Sequence, residues 1–172
     1  MWINQLPWAD RPCRAIPLLA LLLGAPTIKA QAVNPMHALQ FYVGRWACLE
    51  RKGGDPPLSS TFTFAIESNL MRQWIDRPKQ GSMQAPYVVN STFAYDATRH
   101  RYVQTEMDND GTWYVSIAEP WQGNTIRWVD LATSTKLSRW EMTRVNNTNF
   151  TVKSFATIGD KTPNYMASCK RD

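Results

Sequence analysis

The sequence is poor in the residues from which metal centres and nucleophilic active sites are built. Its 172 residues include three cysteines and two histidines, and both histidines are far from any cysteine in the chain. It contains no nucleophile elbow, no phosphate-binding glycine loop and no histidine pair at metal-ligand spacing. We therefore expect no metal and no cofactor, and without a catalytic motif we favour a binding function over an enzymatic one.

The chain also lacks a cluster of basic residues and a segment long enough to span a bilayer. Its formal charge of +5 is spread along the sequence without a run of Lys or Arg, so we expect no nucleic-acid partner. The uncharged stretch between Arg14 and Lys29 is 14 residues long. A transmembrane helix needs about 20 apolar residues, so this stretch is too short to be one.

The first 32 residues have the pattern of a signal peptide. Arg11 and Arg14 precede the apolar residues 15–25 (AIPLLALLLGA), and the small-x-small sequence of residues 30–32 suits a signal peptidase. We predict a signal peptide over residues 1–32 and a mature chain of residues 33–172, which is periplasmic or secreted. Cleavage removes three basic residues and one acidic residue, so the formal charge falls to +3. An uncleaved N-terminal anchor is the alternative.

Two cysteines remain after cleavage. Cys48 and Cys169 lie near the two ends of the mature chain, in a protein that we expect in an oxidising compartment. We predict a disulfide that joins the first strand to the last, and two buried free thiols are the alternative.

From residue 44 onward the sequence reads as short strands. Nine clusters rich in Gly, Pro, Asn, Asp and Ser divide it into about ten segments of alternating apolar and polar residues. The alternation places large apolar groups on one face in residues 62–66, 113–117 and 126–128. Short turns between successive strands favour an all-β, antiparallel up-and-down barrel, because closure removes the exposed sheet edges.

A short helix is predicted over residues 34–42, before the first strand. Asn34 can cap it, and Pro35 suits the first helical position. The sequence contains no linker or repeat, so residues 33–172 are expected to form one domain, and we expect a monomer.

The sequence around this helix resembles the opening of calycin barrels, the superfamily of lipocalins and fatty-acid-binding proteins. The resemblance lies in Gly44-Arg45-Trp46, which follows the helix, and in the late basic residues Lys170 and Arg171 beside Cys169. It implies that Trp46 packs across the closed end of the barrel and that Arg171 or Lys170 stacks on its indole. Gly44 would then permit close backbone approach.

The remainder of the chain looks more like small secreted bacterial barrels of uncharacterised function, which share hairpins of the kind seen at residues 108–111 and 121–124. Ten strands also resemble fatty-acid-binding or nitrobindin-like barrels more than eight-stranded lipocalins. Nitrobindin-like barrels carry haem on a histidine. His37 and His100 are not at interior strand positions of the predicted fold, so we expect no haem.

The aromatic residues are the candidates for a ligand pocket. We expect Trp74, Tyr114, Trp128 and Trp140 to line it, with Arg72 as a polar group on the same strand face as Trp74. The alternative is that these aromatics fill the barrel as core and that Arg72 is a solvated exterior charge. Further polar residues with a predicted inward position are Gln104, Glu106, Arg139 and Glu141.

Three functions remain open from the sequence. The leading hypothesis is an exported barrel that binds a small hydrophobic or aromatic ligand. The second is a barrel enzyme, a cyclase or isomerase, that acts on an enclosed small molecule. The third is a filled barrel with a structural or interaction role.

Overall fold

In the computed structural model, residues 34–81 and 83–172 are described, and they form a closed antiparallel barrel of ten strands preceded by one short 3-10 helix. Each strand pairs with its neighbours in the chain, and β1 pairs with β10. This confirms the predicted all-β, up-and-down barrel. The signal peptide predicted for residues 1–32 lies outside the described residues. The elements are a helix at Pro35–Tyr42, β1 Gly44–Lys52, β2 Leu58–Glu67, β3 Leu70–Arg77, β4 Tyr87–Asp96, β5 Arg101–Asp108, β6 Trp113–Ala118, β7 Thr125–Thr133, β8 Arg139–Asn146, β9 Asn149–Phe155 and β10 Tyr165–Arg171.

The short helix begins as the sequence predicts. The Asn34 side chain accepts a hydrogen bond from the Met36 backbone N–H at 3.0 Å, and Pro35 occupies the first turn. Met36 and Leu39 are 1 % exposed and belong to the barrel core, so the helix closes one end of the barrel. Within the described ranges, no helix is long and apolar enough to cross a membrane.

Side chains alternate between the interior and the outer face along every strand. In β2, Phe62 and Phe64 are buried inside the barrel, and Thr61 and Thr63 lie on the outer face, as predicted. The prediction for residues 113–117 is wrong about which face is buried. The interior of β6 holds Tyr114, Ser116 and Ala118, and the apolar residues at 113, 115 and 117 lie outside. Pairing with β5 and β7 fixes the inward face of β6, because the register with a partner strand determines which side chains point into the barrel.

The pairing of β3 with β2 and β4 corrects the prediction that Arg72 and Trp74 line the pocket. Met71, Gln73 and Ile75 are the buried residues of this strand, so Arg72 and Trp74 lie on the outer face. Arg72 pairs there with Glu67 at 3.1 Å, with about half of each side chain exposed. Neither Arg72 nor Trp74 lines the interior.

The predicted disulfide between Cys48 and Cys169 is confirmed. The two residues are directly opposite each other in the β1–β10 pair, with their Cα atoms 4.1 Å apart. Both point into the barrel and are buried. The bond therefore joins the first strand to the last, and it indicates a non-reducing compartment.

Candidate functional site

One half of the barrel, here called the closed half, is filled by aromatic side chains. Tyr42, Trp46, Phe64 and Phe150 are each 2 % exposed or less. The indole of Trp46 meets the Phe150 ring edge-on, with 4.8 Å between centroids, and its Nε1 donates a hydrogen bond to the Tyr42 carbonyl at 2.7 Å. Phe150 packs against the rings of Tyr42, Trp46 and Phe64, with centroids 4.8–6.1 Å apart.

Arg171 lies at the end of β10, on the same face of the sheet as Trp46, and covers the end of the closed half. Its guanidinium lies 4.3 Å from the centroid of the Trp46 ring and donates to the carbonyls of Val43 at 2.9 Å and Phe41 at 2.6 Å. Gly44 has φ +123°, and a Cβ there would lie 3.1 Å from Arg171 Nη1. The expected stacking of Arg171 on Trp46 and the close approach at Gly44 are thus present. Cation–π attraction of this kind stabilises by about 1 kcal/mol.

The other half, here called the open half, is hollow. It contains a cavity of about 790 Å³ whose rim is formed by loop residues exposed to solvent. The apolar and aromatic residues that line it are Phe62, Ile75, Tyr87, Val89, Tyr114, Trp140, Met142, Val152 and Tyr165. The polar residues below the rim are Glu50, Gln73, Arg77, Gln104, Glu106, Asp108, Asp130, Ser138 and Ser154.

The aromatic candidates divide between the two faces of the sheet. Tyr114 and Trp140 line the cavity. Trp128 is fully buried and stacks on Trp140, with centroids 4.9 Å apart and planes at 7°. Trp128 therefore supports Trp140 from behind, and Trp140 is the ring that a ligand would meet. Trp74, on the outer face, is separated from the cavity by the sheet itself.

The cavity's guanidinium is already engaged by protein groups. Arg77 Nε lies 2.8 and 2.7 Å from the two carboxylate oxygens of Glu50, and Tyr165 donates its hydroxyl to the same carboxylate at 2.8 Å. Arg77 also lies over the Tyr87 ring, 4.6 Å from its centroid. Burial and the adjacent carboxylate raise the pKa of the Tyr165 hydroxyl well above its ordinary value of 10.0, so it remains a donor.

A second polar group lies on β5. Glu106 Oε2 accepts hydrogen bonds from Ser91 Oγ and Gln104 Nε2, both at 2.9 Å. Burial raises the pKa of the Glu106 carboxyl above its ordinary value of 4.5, although the two hydrogen bonds and Arg77 act in the opposite direction. Gln104 is 1 % exposed, and its Oε1 has no hydrogen-bond partner among the described residues. A carboxyl with a raised pKa can hold or release a proton within this cavity.

The remaining carboxylates are satisfied by neutral donors. Asp130 accepts from Ser116 Oγ at 2.7 Å and from the hydroxyl and backbone N–H of Ser138 at 2.6 and 2.9 Å. Asp108 accepts from the Tyr87 hydroxyl and from the backbone N–H of Asp110 and Thr112. These bonds fix the cavity wall between β4 and β7, and among the described residues neither Asp108 nor Asp130 forms an ion pair.

The sequence predicted part of this polar set. Gln104 and Glu106 face inward as expected, whereas Arg139 and Glu141 lie on the outer face, where Arg139 Nη1 contacts Glu141 at 2.7 Å. Glu50, Arg77 and Asp130 were missed. Each is two residues from a buried side chain on its own strand, and that spacing is the signal that could have identified them.

No protein-family model and no curated protein matches the chain. Among solved structures, a redesigned β-barrel (b11L5F_LGL) is similar at 12 % identity, with a TM-score of 0.43 over 78 % of this chain and 95 % of the other. The structure of EF1p2_mFAP2b bound to DFHBI is similar at 15 % identity, with a TM-score of 0.38 over 78 % of this chain and 97 % of the other.

Proposed function

We propose that this protein is an exported barrel that binds a small hydrophobic or aromatic molecule in its open half. The observation that carries the proposal is the cavity itself, at about 790 Å³. Ligand pockets are commonly about 300–1,000 Å³ and combine apolar walls with a few fixed polar groups. The wall formed by Trp140 and Tyr114 and the hydrogen-bonded carboxyls beside it meet that description.

Export to the periplasm or beyond the cell is supported by two independent features. One is the signal-peptide pattern of residues 1–32, and the other is the Cys48–Cys169 disulfide. The resemblance of the Gly44-Arg45-Trp46 segment to calycin barrels supports a binding role as well, since that superfamily is built around enclosed ligands.

Intrinsic tryptophan fluorescence tests binding directly. Titration with a panel of aromatic and aliphatic ligands should change the emission of the wild-type protein. The Trp140→Phe variant should lose most of that change, because Trp140 lines the cavity and Trp128 behind it is buried. The matched control is Trp74→Phe, which removes an indole from the outer face and should retain the response.

A cavity-filling substitution gives a second, independent test. Ser154 lines the cavity beside Trp140, which is its partner in the β8–β9 pair. The Ser154→Phe variant should therefore bind at least tenfold more weakly in isothermal titration calorimetry. The neighbouring Lys153 lies on the outer face, and Lys153→Phe should bind as the wild type does. Equal affinity of the two variants, or no binding by the wild type to any member of the panel, would refute the proposed site.

A barrel isomerase or cyclase is the second candidate, and Glu106 is the observation that favours it. A carboxyl with a raised pKa that faces an enclosed cavity can act as a general acid or base. An enzyme of this kind would convert a bound compound to a product of equal mass and new chromatographic retention. Glu106→Gln should then abolish conversion while the affinity for a neutral substrate persists.

A further inference from the structure

We propose that the open half selects an aromatic ligand that carries an ammonium group, rather than a carboxylic acid. This inference rests on the proposed binding function and specifies the charge of the ligand. It follows from the charge of the cavity, from the engagement of Arg77 below the rim, and from two acceptor atoms, Glu106 Oε1 and Gln104 Oε1, that receive no hydrogen bond from the described residues.

The cavity interior is acidic although the chain as a whole is basic. Below the rim, the described lining residues include four carboxyl groups and one guanidinium. At the exposed rim the charges balance, with Arg51 and Lys52 against Asp55 and Asp110. A formal charge of +5 for the whole chain therefore coexists with an interior that attracts cations.

Below the rim, an anionic ligand finds no free cation among the described residues, since the rim cations Arg51 and Lys52 are exposed to solvent. Arg77 is held by both oxygens of Glu50, and only 16 % of its side chain is exposed. A ligand carboxylate would have to displace Glu50 from Arg77 and leave that glutamate buried beside it. Breaking a buried ion pair is strongly unfavourable, because it leaves a charge without its partner.

A donor-bearing ligand, in contrast, finds two acceptors. Both hydrogen bonds to Glu106 end on Oε2, and its Oε1 receives none from the described residues. Gln104, two residues away on the same strand, lines the cavity with its Oε1 also lacking a partner. An ammonium group carries three N–H donors, so it can donate to Glu106 Oε1 and still offer an N–H to a second oxygen.

The aromatic part of the ligand is accounted for by the neighbouring rings. Tyr114 is directly opposite Glu106 in the β5–β6 pair, and both side chains line the cavity. A cation held at Glu106 is therefore next to an aromatic ring, and rings attract cations over their faces. Trp140 offers a further flat surface, fixed in place by Trp128 behind it.

Binding of an ammonium ligand at Glu106 should be accompanied by release of a proton. A ligand cation favours the ionised form of Glu106, so a carboxyl that is partly protonated in the free protein releases its proton on binding. The affinity should rise with pH until Glu106 is ionised in the free protein and then level off. The other titratable groups that face this cavity below the rim are Glu50, Arg77, Tyr87, Asp108, Tyr114, Asp130 and Tyr165.

Three probes with a common naphthalene ring test the inference by calorimetry: 2-naphthylmethylamine, 2-naphthalenemethanol and 2-naphthylacetic acid. We expect the ammonium to bind about tenfold tighter than the alcohol, because charge-assisted hydrogen bonds are the stronger kind. The carboxylate should bind most weakly. Titrations in buffers of different ionisation enthalpy should show proton release with the ammonium alone.

Glu106→Gln is the informative variant, since it keeps the side-chain shape and removes the charge. It should weaken ammonium binding to the level of the alcohol, abolish proton release and leave alcohol binding unchanged. Glu141→Gln, which removes a carboxylate from the outer face, should bind all three probes as the wild type does.

The outcomes separate this inference from the proposed function. If the alcohol or the carboxylate binds to the wild type as tightly as the ammonium does, the preference for a cationic ligand is refuted, but the proposed binding function is not. The same holds if Glu106→Gln keeps the ammonium preference. If none of the three probes binds, the inference is refuted together with an aromatic-binding function.

Discussion

The two halves of the barrel are built from the same ten strands but have opposite interiors. Along β1 the inward side chains are Trp46, Cys48 and Glu50, which pass from an aromatic plug through the disulfide to a cavity carboxylate. The closed half derives its stability from packed rings and from the hydrogen bond that the Trp46 indole donates to the Tyr42 carbonyl. The open half also contains rings, among them Tyr114, Trp140 and Tyr165, but they border a cavity and do not fill it. A single strand can therefore contribute to the packed core at one end of the barrel and to the cavity at the other.

The largest effect should come from the closed half. Trp46→Ala should lower the free energy of unfolding by about 4 kcal/mol, because it leaves a cavity among rings that cannot close it. In the open half, Tyr114→Ala should lower it by about 1 kcal/mol, since the Tyr114 ring borders existing space. Urea unfolding of the two variants measures both values. Equal losses would show that the two halves do not differ in packing.

The disulfide joins β1 to β10 between the two halves, and its removal should have the second-largest effect. Replacing both Cys48 and Cys169 by serine should cost about 3 kcal/mol, because the 121-residue separation in sequence makes the unfolded chain much freer once the link is gone. Thermal unfolding with and without a reductant checks this, and the reductant should have no effect on the double variant. A wild-type protein that is insensitive to complete reduction would contradict the prediction.

Gly44 tests how tightly Arg171 seals the closed half. Gly44→Ala should destabilise by about 2 kcal/mol, because the backbone has φ +123° and the new Cβ would lie 3.1 Å from Arg171 Nη1. The control is Gly159→Ala, where nothing lies within 4 Å of an added Cβ and φ is not positive, and no measurable loss is expected. Similar denaturation midpoints for the two variants would disprove the close approach.

The smallest effect should be the pH dependence of the open half. The pKa of Glu106 is raised in the folded protein, so the folded state holds a proton that the unfolded state releases above about pH 4.5. Its contribution to stability is therefore present at low pH and is lost as pH rises through the folded pKa. The difference in unfolding free energy between Glu106→Gln and the wild type should grow with pH in this window. A difference that is constant from pH 4 to 8 would contradict the raised pKa.

The fold could be predicted because its signals are local. Turn residues between alternating segments predict the strands, and the capped Pro35 helix, the Gly44 motif and the cysteine pair predict how the two chain ends meet. The site could be predicted only in part. Trp140, Gln104 and Glu106 face the interior as predicted. Tyr114 does too, although the apolar pattern of residues 113–117 favoured the opposite face, and Arg72 and Trp74 share a face that the register turns outward.

The sequence by itself determined the all-β class and the approximate number of strands, because both depend on spacing along the chain. The pairing of Cys48 with Cys169 followed from the two cysteines that remain in a chain expected to be exported. The tertiary structure decided which residues share the cavity and that one half is hollow. Alternation divides the side chains of a strand between two faces but does not indicate which face points into the barrel. In β6, Trp113 lies outside and Tyr114 inside. Closure of the sheet makes that choice, and it places Glu106 and Arg77, on strands that are not neighbours, around one space.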